Sequence, residues 1–165
     1  MKRKLLSLLL ALTMTVSLLT VEASAVEPTY DDIAGHWAEA SIERWSGHGI
    51  IQGNNGKFNP NGQLTCAHFA AILARLLKLP AAKDAGFSDN TPDAWHYDAI
   101  NRCAAAGILK GNLNGTVTPN APITRERAMV MLGRALGIEP IENPDLTQFT
   151  DGAQVASYAR GMLAA

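Results

Sequence analysis

Gly49-Ile50-Ile51-Gln52-Gly53 and Gly107-Ile108-Leu109-Lys110-Gly111 are one phrase written twice in the same chain. The match extends outward in both directions. Upstream, Trp37 falls on Trp95, Ile42 on Ile100 and Trp45 on Cys103 at a single offset. Downstream, the second copy gains one residue in its loop. After it, Gly56 falls on Gly115, Pro60 on Pro119, Leu64 on Ile123, Thr65 on Thr124, Arg75 on Arg134 and Leu77 on Leu136. Self-similarity at such a period marks a repeat architecture, in which each unit buries its apolar face against a neighbour.

Each copy reads as helix, loop, helix, so the chain is predicted to be all-α. In the first helix the apolar set is Ile42, Trp45, Gly49 and Ile50, against Ile100, Cys103, Ala104, Gly107 and Ile108. In the second it is Phe69, Ile72, Leu73, Leu76 and Leu77, against Ala128, Met131, Leu132, Ala135 and Leu136. This spacing places one stripe on one face, which is expected to be the core. The loop Gly53-Asn54-Asn55-Gly56-Lys57-Phe58-Asn59-Pro60-Asn61-Gly62 is rich in turn formers. Thr65 and Thr124 stand where an N-cap of the second helix belongs. A third copy opens at Phe149-Thr150-Asp151, matching Phe87-Ser88-Asp89, with Tyr158 at the tryptophan position. Residues 28–80 and 85–140 thus form two repeats, and 147–165 a truncated third.

The N-terminus carries a basic start (Lys2, Arg3, Lys4), an apolar run from Leu5 to Leu19, then Ala23-Ser24-Ala25. This order predicts a secretory signal peptide over residues 1–25. The run is shorter than the roughly 20 residues a spanning helix needs, so no membrane span is expected after cleavage. Removing the leader takes away three of the 14 basic residues and one of the 15 acidic ones, leaving a formal charge of −3. Without a basic stripe, nucleic acid is not an expected partner. Cys66 and Cys103 sit in different repeats. An exported chain can form disulfides, but one possible pair is not a framework. No cysteine–histidine spacing suggests a metal site, and no cofactor is expected.

Taken together, Trp37-Ala38, Phe87-Ser88-Asp89, the two Gly-Ile-x-x-Gly phrases, Gly56-Lys57-Phe58-Asn59-Pro60 and Thr124-Arg125-Glu126-Arg127 resemble the S-layer homology (SLH) family. The resemblance covers the whole chain after the leader. It implies tandem repeats in an incomplete pseudo-threefold bundle with grooves between neighbours. It also implies non-covalent attachment to a secondary cell-wall polymer, a glycan bearing a pyruvate ketal, at the cell envelope. Arg125 matches the family's binding arginine, and a guanidinium can grip a carboxylate with two parallel hydrogen bonds. A helix start adds backbone N–H groups and the positive end of the helix dipole. Thr124 is expected to cap that helix, with Gly111, Trp95, Asp89, Gly53 and Trp37 completing the expected glycan-binding set. The tryptophans read equally as sugar platforms or core anchors. The two glycines admit a close ligand or a left-handed turn.

The chain departs from the family pattern in three places. The first repeat reads Thr65-Cys66-Ala67-His68, without the arginine. Arg127 stands at the position of the family's glutamate, so neither copy is expected to form a reciprocal capping box. The third repeat stops before its motif. Either the product is truncated and binds nothing, as a vestigial fragment, or a second chain completes it by self-association. Two rival functions are weighed. A calcium-binding, dockerin-like module is suggested by Asn112-Leu113-Asn114-Gly115, but calcium loops need several carboxylates. A glycosidase needs two carboxylates across a cleft, whereas Glu39 and Glu43 lie one turn apart on one helix face. The chain is therefore read as non-catalytic.

Overall fold

The structure, a computed structural model, describes residues 29–165; the expected leader at 1–25 lies outside the described residues. The described part holds five α-helices: α1 (Glu39–Gly47), α2 (Cys66–Leu76), α3 (Tyr97–Ala105), α4 (Arg125–Ala135) and α5 (Ser157–Leu163). A 3-10 turn at Gly152–Gln154 precedes α5, and among the described residues β structure is limited to isolated bridges. The all-α expectation holds.

The two copies reuse the same local chemistry. Gly49 and Gly107, both at positive φ, end α1 and α3. The next residues turn back, with Ile50 N–H donating to Trp45 O and Ile108 N–H to Cys103 O. An arginine on each second helix then ties that corner down. Arg75 donates to Ile50 O and Arg134 to Ile108 O, each at 3.4 Å. Each loop is held by an aspartate: Asp32 accepts from Phe58 N–H and Asn59 N–H, and Asp89 accepts from Val117 N–H and Thr118 N–H.

Helices pair across the repeats. α3 packs on α2, and α5 packs on α4. The core lies between α2 and α3, built from Cys66, Ala67, Ala70, Leu73 and Ala74 of α2, with Ile100 and Cys103 of α3 against them. Ile108, Leu109, Val117 and Met131 close it. The alanines let the backbones approach, and Cys103 Sγ reaches Ala70 O at 3.3 Å. Gly133 does the same for the second pair, since a β-carbon there would collide with Met162.

Two parts of the predicted core stripe are corrected. Leu76, Leu77 and Leu136 are exposed: the packed face of α2 is its alanine side, and Leu77 and Leu136 stand just past the ends of α2 and α4. In the first helix, Gly49 and Ile50 fall beyond the end of α1, and Trp45 is half exposed, whereas Cys103 at the same repeat position is fully buried. The reason lies in the pairing: α2 covers α3, while among the described residues no helix lies closely along α1.

Candidate functional site

The second loop lies across the start of α2. Ile123 N–H donates to Leu64 O, Cys66 N–H to Ala121 O and Ala67 N–H to Pro119 O. Two of the four N–H groups that a helix start leaves orphaned are thereby satisfied by the following repeat. Cys66, at the position matching Arg125, is fully buried beneath this cover. Burial pushes its thiol pKa up, and that of Cys103 up to about 12. Both cysteines are free thiols.

Thr65 caps α2 by accepting from His68 N–H at 3.2 Å. The His68 ring answers: its Nδ1 accepts from Thr65 N–H. The expectation that both copies lose the reciprocal box is thus wrong for the first. A histidine with its proton on Nε2 presents the acceptor that glutamate usually supplies. In the second copy Thr124 caps Arg127 N–H at 3.2 Å, but Arg127 turns away and donates to Thr118 Oγ1 and Val117 O.

His68 also stacks on Trp95, ring centroids 5.1 Å apart at 30°. Trp95 also meets His96 edge-on at 5.3 Å. His96 is buried, and its Nδ1 pairs with Asn90 Oδ1 at 3.0 Å. Desolvation lowers the pKa of His96, with Asp89 acting in the opposite sense. Trp95 is therefore an anchored but exposed ring with one face covered by histidine. Trp37 is different: it is 91% exposed and touches only the His36 ring among aromatic partners. Its reading as a core anchor fails, because no preceding repeat among the described residues covers it.

The left-handed-turn reading of Gly53 and Gly111 is corrected. Neither has a positive φ. A β-carbon on Gly111 would stand 2.3 Å from the Phe87 ring and 2.9 Å from Thr116 O; on Gly53 it would meet Lys57 O and the Tyr30 ring. Both are glycine because the chain packs against its own loop there. Gly111 also borders a depression lined by Lys83, Asp84, Lys110 and Arg102, the last ion-paired with Asp98. Sequence reading missed this charged cluster because its members come from three separate segments. Asp89 spends its oxygens on Val117 N–H and Thr118 N–H, so its place is inside the loop.

The remaining member of the expected set is Arg125. It is exposed at the first position of α4, and among the described residues its N–H and that of Glu126 find no acceptor. The structure thus brings Thr124 and Arg125 together at one helix start. It places Trp95 at the junction between the two repeats, Asp89 and Gly111 within the second repeat, and Trp37 and Gly53 within the first. The loop behind the calcium alternative bonds to itself: Thr116 Oγ1–H donates to Asn114 Oδ1, and Asn112 Nδ2 donates to Thr116 Oγ1. Among the described residues no three His, Cys, Asp or Glu side chains gather as metal ligands would. No described helix is long and apolar enough to cross a membrane.

The sequence signature of the S-layer homology domain matches residues 29–70 and 86–126. The chain is 33% identical to the Surface-layer 125 kDa protein of Lysinibacillus sphaericus over 89% of its own length and 12% of that protein's. It is 32% identical to an amylopullulanase of Thermoanaerobacterium thermosulfurigenes, covering 84% of this chain and 8% of the enzyme. It is 30% identical to S-layer protein EA1 of Bacillus anthracis, covering 84% of this chain and 16% of that protein. The chain therefore corresponds to a small part of each relative, shared by surface-layer proteins and by an enzyme alike.

Proposed function

Because the chain belongs to the S-layer homology domain family, we propose that it is a non-catalytic module that holds an exported protein on the bacterial cell wall. Family membership and the surface-layer names among its relatives support a location at the cell surface. That an amylopullulanase carries a similar segment over 8% of its length fits an attachment role separable from catalysis.

In the finer reading, the ligand is an anionic secondary wall polymer, a pyruvylated glycan, gripped by Arg125. The observation that carries this is the contrast between the two helix starts. At α2 the matching position is a buried cysteine whose N–H is taken by Ala121 O. At α4 the position is an exposed arginine beside N–H groups that have no acceptor among the described residues. A cation at a helix N-terminus is mildly unfavourable by itself, and a bound carboxylate removes that penalty. The same helix start then supplies both a guanidinium and backbone donors to one anion.

Co-sedimentation with purified wall sacculi tests the reading. The chain without its leader should pellet with native sacculi and not with sacculi stripped of secondary polymer by hydrofluoric acid. Arg125→Ala should abolish pelleting while leaving the helical circular dichroism intact. Equal pelleting by the variant removes Arg125 from the site. Failure of the parent chain to pellet with either preparation favours a vestigial fragment, or one that binds only after self-association.

A further inference from the structure

The chain contains three Asn-Gly pairs, at Asn55-Gly56, Asn61-Gly62 and Asn114-Gly115. An asparagine followed by glycine is open to self-modification, because the glycine nitrogen meets no side chain as it approaches the asparagine amide carbon. Folding sorts the three. Gly62 closes a turn by donating its N–H to Asn59 O at 2.9 Å, and Gly115 closes another by donating to Asn112 O at 3.0 Å. Their asparagine side chains are engaged as well. Asn61 Oδ1 pairs with His36 Nε2 at 3.3 Å, and Asn114 Oδ1 accepts from Thr116 N–H and Thr116 Oγ1–H.

Asn55-Gly56 stands apart. The hairpin is closed one residue later, by Lys57 N–H donating to Asn54 O at 3.0 Å and Asn54 N–H donating to Lys57 O at 2.8 Å. Gly56 is thus the second central residue of a two-residue turn, and both central residues have positive φ, Asn55 at 50° and Gly56 at 73°. In such a turn the N–H of the second central residue is not needed for closure, and among the described residues it finds no acceptor. Both residues are exposed, and the Asn55 side chain has no partner among the described residues. The turn is held by one isolated bridge, Asn54 with Lys57, and by Asp31 N–H donating to Gly56 O, so few bonds have to open for the nitrogen to reach the side chain.

We propose that Asn55 is a spontaneous deamidation site, the first in this chain to convert. Gly56 N bonds to Asn55 Cγ as the Cγ–Nδ2 bond breaks, and the amide proton leaves with the departing ammonia. Water then adds across one C–N bond of the succinimide, giving aspartate or isoaspartate with no change in oxidation state. Either product sets a new carboxylate near Asp31, whose side chain lies beside Gly56 and whose N–H donates to Gly56 O. Isoaspartate also lengthens the backbone inside a turn with no spare residue, which breaks the Asn54–Lys57 pair.

The test is to hold the folded full chain at mildly alkaline pH and follow each site by tryptic mass spectrometry with isoaspartyl methyltransferase labelling. Cleavage after Lys57 and Lys110 puts the three asparagines in separate peptides. The Asn55 peptide should convert several-fold faster than the other two in the folded chain, and the three rates should converge in urea. Conversion of Asn61 or Asn114 at an equal or greater rate in the folded chain overturns the proposal. So does an Asn55 lead that persists unchanged in urea, since the fold would then play no part.

Discussion

The His68 imidazole stacks on the Trp95 indole at 30°, 5.1 Å between centroids, joining the first turn of α2 to the turn that leads into α3. The same imidazole closes the capping box on Thr65. One side chain thus serves its own helix and the neighbouring repeat.

Removing that ring should cost both contributions. Trp95→Ala loses an aromatic pair, worth about 0.5–1.5 kcal/mol beyond area burial. His68→Ala loses the pair and one half of the cap, for a total of about 1–2 kcal/mol. Urea denaturation of the two single variants and the double variant measures the coupling. If His68 and Trp95 contribute additively, the stack adds nothing to stability.

The loop aspartates set an acid limit. The pKa of Asp32 is held below its ordinary value of 3.8, first by the Phe58 N–H and also by the Asn59 N–H, against the opposing effect of desolvation. A depressed folded-state pKa stabilises the fold above the unfolded value and loses that effect as pH falls through the folded one. The first loop should therefore loosen only below the ordinary carboxylate range. Amide exchange at Phe58 and Asn59 should rise there, and Asp32→Asn should show the fast exchange already at neutral pH.

Gly111→Ala should act on folding. With no positive φ to strain, the cost is the collision with Phe87 and Thr116 O, about 1–3 kcal/mol for overpacking of this kind. Thermal melts would read the loss, and Phe87→Leu should restore part of it by giving the methyl group room. Sacculus binding by the fraction still folded should match that of the parent chain.

The buried cysteines should be silent to alkylating reagents. At neutral to mildly alkaline pH a thiol whose pKa stands at about 12 is protonated, and the thiolate is the reactive form. Iodoacetamide should label neither Cys66 nor Cys103 in the folded chain and both in denaturant. Cys66→Arg, which writes the family arginine into the first repeat, should not create a second glycan site. It places an unpaired charge in the core and should destabilise the fold by roughly 3 kcal/mol or more, measurable by denaturation.

The helices, their order and the repeat were legible in the sequence, because glycine and proline punctuation and threonine caps are local signals. What was not legible depended on neighbours. Trp45 and Cys103 occupy one repeat position, yet one is half exposed and the other buried, since only the second lies under a preceding helix. Leucines look like core and alanines look neutral, but the close approach of α2 and α3 selected the alanine face. The two repeat glycines were read as admitting a close ligand or a left-handed turn; the turn is absent, and a ring and a carbonyl pack against each of them. His68 escaped notice as a cap because its acceptor atom exists only in one tautomer. For the candidate site, Arg125 and its Thr124 cap could be read directly from the motif, whereas the buried state of position 66 could not.

The three backbone bonds that the second loop lays over the start of α2 have a consequence for how the chain acquires its structure. They join residues of the first repeat to partners more than 50 positions later in the sequence, as in Cys66 with Ala121. Contacts of that span are slow to form, because the intervening chain must be ordered before they repay its entropy. A nascent chain stopped before Pro119 keeps the Thr65–His68 cap but leaves the Cys66 and Ala67 N–H groups without these acceptors and lacks Met131 of the core, so its first repeat stays loose. Stability passes backward along the chain, each unit being finished by the one made after it, so unfolding should proceed as one transition in which the first two repeats melt together.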